Sequence, residues 1–109
     1  MKSKCRRLPI LVLCLALLSA LAYAESVYVK YRGVVNLDRF RCAWVSNSFV
    51  DRICYQDEEQ YLLVSLKSTY YHYCGVPEQV FSSWLQAPSK GRFYNAYVKG
   101  RYDCRYSGY

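Results

Sequence analysis

Four of the six cysteines in this 109-residue chain lie beyond its first 24 residues, and they limit how the chain can fold more than any other feature: Cys42, Cys54, Cys74 and Cys104. A chain this short buries a small core, so two disulfides at roughly 2–4 kcal/mol each would supply a large share of its stability. Four cysteines allow three pairings. A metal site is the alternative, but the chain has no C-x-x-C pair and a single histidine. The sequence therefore predicts two disulfides, with no metal and no other cofactor.

The first 24 residues have the three parts of a secretory signal peptide in the required order. Residues 1–7 carry four basic residues and no acid, residues 8–18 are apolar apart from Pro9, and Ala22-Tyr23-Ala24 fits an A-x-A cleavage site. A membrane-spanning helix needs ~20 apolar residues, and this run is shorter. We therefore expect an exported protein, periplasmic or secreted, that begins at Glu25 and has no membrane span after cleavage.

The charge that remains after the leader is mildly positive. Four of the 15 basic residues lie in the leader, so the rest exceed the 8 acidic residues by three. This net positive charge is much smaller than that of a dedicated nucleic-acid-binding domain. Residues 90–105 nevertheless combine aromatic residues with one acid, Asp103, and five bases: Lys90, Arg92, Lys99, Arg101 and Arg105. Such a segment can bind a phosphate backbone or another polyanion, or it can simply be a solvated helix face.

Residues 48–74 have the pattern of three consecutive strands. Residues 48–55 are rich in β-formers, residues 61–67 alternate with Leu62, Val64 and Leu66 on one face, and residues 69–74 are aromatic. The short loops between them predict an antiparallel meander. Residues 26–31 alternate like a further short strand that ends before Gly33. Residues 34–40 are ambiguous, and Asn36 there can cap a short helical turn.

After the third predicted strand the pattern becomes helical. Pro77 and Glu78 suit a first helical turn, and apolar residues then fall at helical spacing: Val80, Phe81, Trp84 and Leu85. Pro88 ends this helix, and Ser89 can cap a second short amphipathic helix that runs to Gly100. The prediction is an α+β domain in which a small antiparallel three-stranded β-meander, with an added N-terminal strand, is covered by two short helices and stapled by disulfides.

Three motifs in the second half of the chain resemble the KTSC domain family. They are a Tyr-x-Tyr pair at Tyr71 and Tyr73, the turn Gly75-Val76-Pro77, and an A-x-S-x-G-x-x-x-N segment formed by Ala87, Ser89, Gly91 and Asn95. The resemblance covers about residues 48–102. KTSC domains are found at the C-terminus of some lysyl-tRNA synthetases and as small stand-alone bacterial proteins. The resemblance implies no established activity; RNA binding has been suggested from the synthetase association, but export argues against tRNA as the partner here.

The resemblance also divides the chain. It leaves a signal peptide at 1–24, an N-terminal extension packed on the domain at 25–47, a KTSC-like domain at 48–104 and a tail at 105–109. Cys42 and Cys104 lie outside the resembling core, whereas Cys54 and Cys74 end the first and third predicted strands. The preferred pairing is therefore Cys42–Cys104 and Cys54–Cys74. In a plain meander those two strands lie about 9.5 Å apart, too far for a disulfide unless their ends curl together.

Tyrosine is unusually frequent, with 13 in the chain and only Tyr23 in the leader. Tyrosines on an open sheet face can stack bases or sugars, although tyrosine is also an ordinary strand former. We predict a non-enzymatic module that binds nucleic acid or another polyanion. The alternative is a protein–protein interaction or inhibitor module of the cell envelope. The candidate binding residues are Tyr71, Tyr73, Lys90, Arg92, Asn95, Lys99 and Arg101.

His72 is the only histidine and the natural centre of any active site. A hydrolase-like relay would join it to Ser65 or Ser68 and to Asp51. No nucleophile-elbow motif accompanies these residues, and a histidine inside an aromatic strand is more often structural. The sequence therefore predicts no catalytic residue.

Overall fold

The computed structural model describes residues 24–46 and 48–106, and these form six strands and two short helices. The strands are β1 (Ser26–Val29), β2 (Gly33–Asn36), β3 (Arg41–Trp44), β4 (Val50–Gln56), β5 (Tyr61–Leu66) and β6 (Thr69–Tyr73). The helices are α1 (Glu78–Gln86) and α2 (Lys90–Phe93); a π-helical turn (Tyr94–Val98) continues α2, and a 3₁₀ turn (Cys104–Tyr106) follows. No helix within these residues is long and apolar enough to cross a membrane. The predicted signal peptide, up to Tyr23, lies outside the described residues and stays a prediction.

The six strands form one mixed sheet in the order β2-β1-β6-β5-β4-β3. Strands β4, β5 and β6 are antiparallel neighbours. Strand β1 lies parallel beside β6, while β2 and β3 extend the sheet at its two edges. The prediction of a three-stranded sheet with one added N-terminal strand is therefore wrong in the number of strands. The residues before β4 form three strands, so the sheet has six.

The two edge strands lie where the sequence carried no clear strand signal. Residues 33–36 form β2 rather than a helical turn, and the Asn36 side chain accepts a hydrogen bond from the backbone N–H of Asp38 at 2.7 Å, which makes a turn and not a helix cap. Strand β3 has four residues and pairs with β4 alone, so its formation depends on the partner strand more than on its own sequence.

Strand β5 separates two hydrophobic cores. Leu62 and Val64 pack with Phe81 and Trp84 of α1 on one side of the sheet. Tyr61 and Leu63 pack with Val29 and Cys54 on the other side. The predicted alternation along β5 is confirmed, but both of its faces are buried because β1, β2 and β3 bring a second core to the far side.

The helices begin as the sequence predicts. Pro77 precedes the first residue of α1, and the Ser89 hydroxyl accepts a hydrogen bond from the backbone N–H of Arg92 at the start of α2. The second helix does not continue as a regular α-helix to Gly100. It widens into the π-helical turn, in which the N–H of Lys99 donates to the carbonyl of Tyr94 at 2.9 Å.

The disulfides join Cys42 to Cys54 and Cys74 to Cys104, so the predicted pairing Cys42–Cys104 and Cys54–Cys74 is wrong. Cys42 on β3 lies directly opposite Cys54 on β4, with their Cα atoms 4.0 Å apart. Cys74 follows β6 and is separated from Cys54 by β5, while the Cα of Cys104 lies 4.8 Å from its own. Two disulfides are typical of a protein that folds outside the reducing cytosol.

The helices cover only part of their side of the sheet. Val27 and Val35 on the β1–β2 hairpin pack toward the second core. Tyr28 and Val34, directly opposite each other in the same hairpin, project to the helix side and are 70% and 76% exposed. The sheet surface formed by β1, β2 and the adjoining part of β6 is therefore open to solvent on this side.

Candidate binding surface

A groove of about 750 Å³ runs between the open part of the sheet and the chain that follows the π-helical turn. We call it the tyrosine groove. The turn between β1 and β2 contributes Lys30 and Tyr31, and β6 contributes Tyr71, His72 and Tyr73. The C-terminal segment contributes Arg101, Asp103 and Arg105. Three predicted site residues, Tyr71, Tyr73 and Arg101, thus meet in one place.

Lys30 and Tyr71 form the centre of this groove. The Lys30 ammonium lies 5.7 Å from the centroid of the Tyr71 ring and 5.4 Å from that of Tyr31, both within cation–π range. The backbone N–H of Lys30 donates to the carbonyl of Tyr70 at 2.9 Å, which fixes Lys30 beside β6. Tyr31 is 84% exposed and Lys30 is exposed, whereas Tyr71 is half-buried, so a ligand can reach Lys30 and Tyr31 fully and the Tyr71 ring in part.

Tyr73 has a different environment from Tyr71. Its hydroxyl lies 2.8 Å from the hydroxyl of Tyr94, and its ring packs against the helix-side core. Burial, together with the hydrogen bond to Tyr94, raises the pKa of Tyr73 well above its ordinary value. Tyr73 therefore holds the sheet to the π-helical turn and offers a ligand only part of its surface.

The predicted basic residues separate into different roles. The Lys90 ammonium donates hydrogen bonds to the carbonyls of Leu85 (3.1 Å) and Ala87 (2.5 Å). Lys90 therefore provides hydrogen-bond donors for carbonyl groups at the C-terminal end of α1. Arg101 is exposed and lines the tyrosine groove. The remaining predicted residues are exposed on α2 and the turns after it, away from the groove lining: Arg92, Asn95 and Lys99.

Asp103 is the one carboxylate in the described lining of the tyrosine groove. It accepts hydrogen bonds from the Arg105 side chain at 2.6–3.1 Å and from the Arg105 backbone N–H. These side-chain hydrogen bonds hold the pKa of Asp103 below its ordinary value. Because Arg105 neutralises Asp103, the net positive charge of the groove comes from Lys30 and Arg101.

Two arginines in the first half of the chain, Arg39 and Arg41, are already paired with acids. Arg41 forms ion pairs with Asp57 (2.7 Å) and Glu78 (3.4 Å), and Arg39 lies 3.3 Å from Glu58. Among the described residues, no salt bridge involves Lys30, Arg92, Lys99 or Arg101. These four cations lie around the tyrosine groove, on α2 and at the π-helical turn, and Lys67 at the turn between β5 and β6 likewise forms no salt bridge among the described residues.

A second groove of about 410 Å³ lies between α1 and the π-helical turn. We call it the Phe93 groove. Its aromatic lining is formed by Phe93, Tyr97 and Tyr102, and Arg101 lies in its wall as well. Phe93 stacks on the buried Trp84 with ring centroids 5.6 Å apart.

His72 takes part in no relay with a serine. Its Nδ1 lies 2.8 Å from the Tyr61 hydroxyl, while Asp51 accepts hydrogen bonds from the Ser65 hydroxyl and the Ser68 backbone N–H. Burial, followed by the nearby charge of Arg32, lowers the pKa of His72. Among residues 24–46 and 48–106, no set of three His, Cys, Asp or Glu side chains could hold a metal ion.

Sequence reasoning missed Lys30 and Tyr31. Both lie before the resembling segment, and they reach Tyr71 only because β1 lies parallel to β6, with Val29 opposite Tyr70. A parallel pairing between strands about forty residues apart leaves no local sequence signal, so the register of the sheet had to be known first.

Comparisons with known proteins agree with this architecture. The KTSC domain family profile matches residues 46–102. The crystal structure of a KTSC domain protein from Yersinia pestis superposes with a TM-score of 0.56 at 31% sequence identity, covering 59% of this chain and 92% of that one. Among curated proteins, no sequence matches. No catalytic activity is known for KTSC domains. The matched residues include the Tyr-x-Tyr pair and the whole segment that follows it up to Tyr102. This chain therefore belongs to the KTSC domain family.

Proposed function

We propose that this protein is an exported, non-enzymatic KTSC module that binds an anionic polymer, such as single-stranded nucleic acid, in the tyrosine groove. The observation that carries the proposal is the position of Lys30 over the rings of Tyr31 and Tyr71, in a groove that Arg101 also lines. Proteins that bind single strands combine a positively charged groove with aromatic rings on which bases stack.

The open sheet surface supports this proposal. Tyr28 is 70% exposed on β1, the strand that leads into Lys30, and Tyr71 lies on the neighbouring strand. RNA-recognition sheets use exposed aromatic residues in the same way, with bases splayed on the sheet and stacked on its rings. A duplex keeps its base faces inside the stack, so we expect the groove to prefer single strands.

Export is part of the proposal. It is supported by the leader-like sequence of residues 1–24 and by the two disulfides, which persist in oxidising compartments such as the periplasm or the extracellular space. A ligand met outside the cytosol would be an extracellular or envelope polyanion rather than tRNA.

The test is fluorescence anisotropy of the oxidised protein with labelled single-stranded RNA and DNA between about 50 and 200 mM salt. We expect affinity to fall log-linearly with salt, and the slope to decrease by about 0.7 for each phosphate that Lys30→Ala or Arg101→Ala no longer neutralises. Tyr71→Ala should weaken binding at every salt concentration. Arg92→Ala removes the same charge outside the groove and is the matched control. Absence of binding at the lowest salt, or equal effects of Arg92→Ala and Arg101→Ala, would contradict the proposal.

A second candidate function, an envelope protein–protein interaction, is favoured by Trp44. This residue ends the edge strand β3 and is 71% exposed, with the Arg52 guanidinium 4.3 Å from its ring centroid. A rigid exposed tryptophan is a common interface hot spot. Capture from an envelope extract should then return a partner with the wild-type protein and lose it with Trp44→Ala. Equal capture by both proteins would count against this function.

A further inference from the structure

Arg101 belongs to both grooves described above. It lines the tyrosine groove with Lys30 and Tyr71, and it lines the Phe93 groove with Phe93 and Tyr97. The two grooves are therefore neighbours that share one exposed cation as their common wall.

The segment that carries Arg101 is held firmly in place. The N–H of Arg101 donates to the carbonyl of Val98 at 3.0 Å, and the carbonyl of Tyr102 accepts from the N–H of Cys74 at 2.8 Å. The Cys74–Cys104 disulfide ties the same segment to the end of β6. Gly100 and Tyr102 adopt left-handed backbone angles (φ 74° and 58°) that turn the chain on either side of Arg101. The backbone of Arg101 is thus fixed before a ligand arrives, so only its side chain has to be ordered on binding, which lowers the entropic cost.

The aromatic rings of the Phe93 groove pack on a buried side chain. Trp84 is fully buried and stacks under Phe93 with an angle of 16° between the rings. Tyr97 lies against Phe93 with centroids 4.8 Å apart and is 56% exposed. These rings form a fixed platform whose outer surface faces solvent, as required for stacking with a planar ring.

The charge of the Phe93 groove suits an anion. Its described lining contains Arg101 and no carboxylate, and its other polar groups are the side chains of Gln79 and Ser83 and tyrosine hydroxyls, which can all donate hydrogen bonds.

From this arrangement we propose that the Phe93 groove is a second base-stacking subsite for the same single-stranded nucleic acid, which passes over Arg101 from the tyrosine groove. The inference rests on the proposed function. One phosphate would meet Arg101 at the shared wall, with bases stacked on Tyr71 to one side and on Tyr97 to the other. A flexible single strand can follow such a turn, whereas a duplex cannot.

The experiment compares the full-length oxidised protein with its variants on labelled oligothymidylates of increasing length, within the range of about 4–16 nucleotides that single-strand-binding domains cover. Tyr97→Ala should leave the affinity for the shortest bound oligonucleotide unchanged and should weaken binding of long ones by about tenfold, as expected when one base no longer stacks. Tyr71→Ala should weaken both. Tyr106→Ala removes an exposed tyrosine outside both grooves and is the matched control.

The outcomes separate the two proposals. If Tyr97→Ala has no effect on long oligonucleotides while Tyr71→Ala weakens them, the second subsite is wrong and the proposed function stands. If no oligonucleotide binds the wild-type protein, the proposed function is wrong and the second subsite fails with it. A length-dependent loss of affinity with Tyr97→Ala, absent with Tyr106→Ala, supports both.

Discussion

The hydroxyl groups of Tyr73 and Tyr94 lie 2.8 Å apart and join β6 to the π-helical turn. Tyr94 is itself 8% exposed and packs against Trp84 and Phe49. Tyr71, two residues earlier on the same strand face, contacts Lys30 at the solvent-open part of the sheet. The two tyrosines of one sequence motif therefore have different environments: Tyr73 joins β6 to the π-helical turn, whereas Tyr71 lies in the tyrosine groove, where we propose that a ligand binds.

We expect Tyr73→Phe to lower the free energy of unfolding by about 1–3 kcal/mol, because it leaves the buried Tyr94 hydroxyl without its partner. Tyr94→Phe should cost a similar amount, and the double variant less than the sum of the two. Urea denaturation of the four proteins measures this coupling. Tyr71→Phe is the matched control and should stay within about 0.5 kcal/mol of the wild type. Strictly additive effects would show that the two hydroxyls do not interact.

The two disulfides should contribute unequally to stability. Their partners are 12 and 30 residues apart in sequence, so chain-entropy arguments give about 3 kcal/mol for Cys42–Cys54 and about 4 kcal/mol for Cys74–Cys104. Paired Cys→Ala variants compared by urea denaturation test this order. Removing Cys74–Cys104 should also weaken ligand binding, since that bond holds the segment of Arg101. Peptide mapping of the non-reduced protein checks the pairing itself; a Cys42–Cys104 peptide would contradict the structure.

Glu25 should stabilise the folded protein through Arg52. The Arg52 side chain is 8% exposed, and its guanidinium donates to both carboxylate oxygens of Glu25 at 2.5 and 3.0 Å. Removing the acid leaves a buried cation without its counter-ion, so Glu25→Gln should cost about 1–2 kcal/mol, less than for a fully buried pair because Glu25 is half exposed. Glu58→Gln, in the exposed pair with Arg39, should change little. Equal thermal midpoints for both variants would contradict this role.

Acid should destabilise the protein through His72 in a defined pH range. Folding lowers the pKa of His72, chiefly by burial, so the folded state binds fewer protons than the unfolded state. The contribution of His72 to the free energy of unfolding is fully present above the pKa of histidine in the unfolded chain, about 6.5. This contribution decreases as the pH falls below that value, until the pKa of His72 in the folded protein is reached. Glu25 and Asp103 have lowered pKa values and act only at more acidic pH.

Thermal unfolding between about pH 7 and pH 5 tests this effect, because the window includes the unfolded pKa of histidine and lies above those of the carboxylates. The midpoint of the wild-type protein should fall across the window, and His72→Gln should flatten the profile. A variant profile parallel to that of the wild type would assign the pH dependence to other groups.

Local signals in the sequence predicted the central strand β5 and the start of α2, but they did not predict the edge strand β3 or the pairing of β1 with β6. The alternation of Leu62 and Val64 and the capping serine at Ser89 each depend on neighbours in sequence, and the structure confirms them. The edge strand β3 and the parallel pairing of β1 with β6 depend on distant partners. The wrong disulfide pairing has the same origin, because Cys42 meets Cys54 only once β3 is known to lie beside β4.

The candidate binding site was predictable to the same degree. Tyr71 and Arg101 were found because they belong to the resembling segment or to a visible cluster of charge. Lys30 could not be found, since its proximity to Tyr71 is a consequence of sheet register. Lys90 looked like a ligand contact by charge alone, yet its ammonium satisfies two carbonyls at the end of α1.

Gly91, the glycine of the A-x-S-x-G segment, should be required because of Phe49. A Cβ atom added at Gly91 would lie 2.7 Å from Cε1 of Phe49, closer than carbon atoms can approach, although Phe49 is partly exposed and able to shift. Gly91→Ala should therefore destabilise the protein by about 1 kcal/mol, the usual cost of modest overpacking. In a Phe49→Ala background the contact with the ring is absent, and the remaining close neighbour of the added Cβ is the Ser48 hydroxyl oxygen at 3.1 Å. The cost of the same substitution should therefore decrease to near zero, because alanine favours a helix over glycine and offsets this tight contact. Gly100→Ala is the control: its φ of 74° strains any other residue with no close neighbour, so its cost should be equal in both backgrounds. A Gly91→Ala cost that persists without the Phe49 ring would show that contact with Phe49 is not the reason for this glycine.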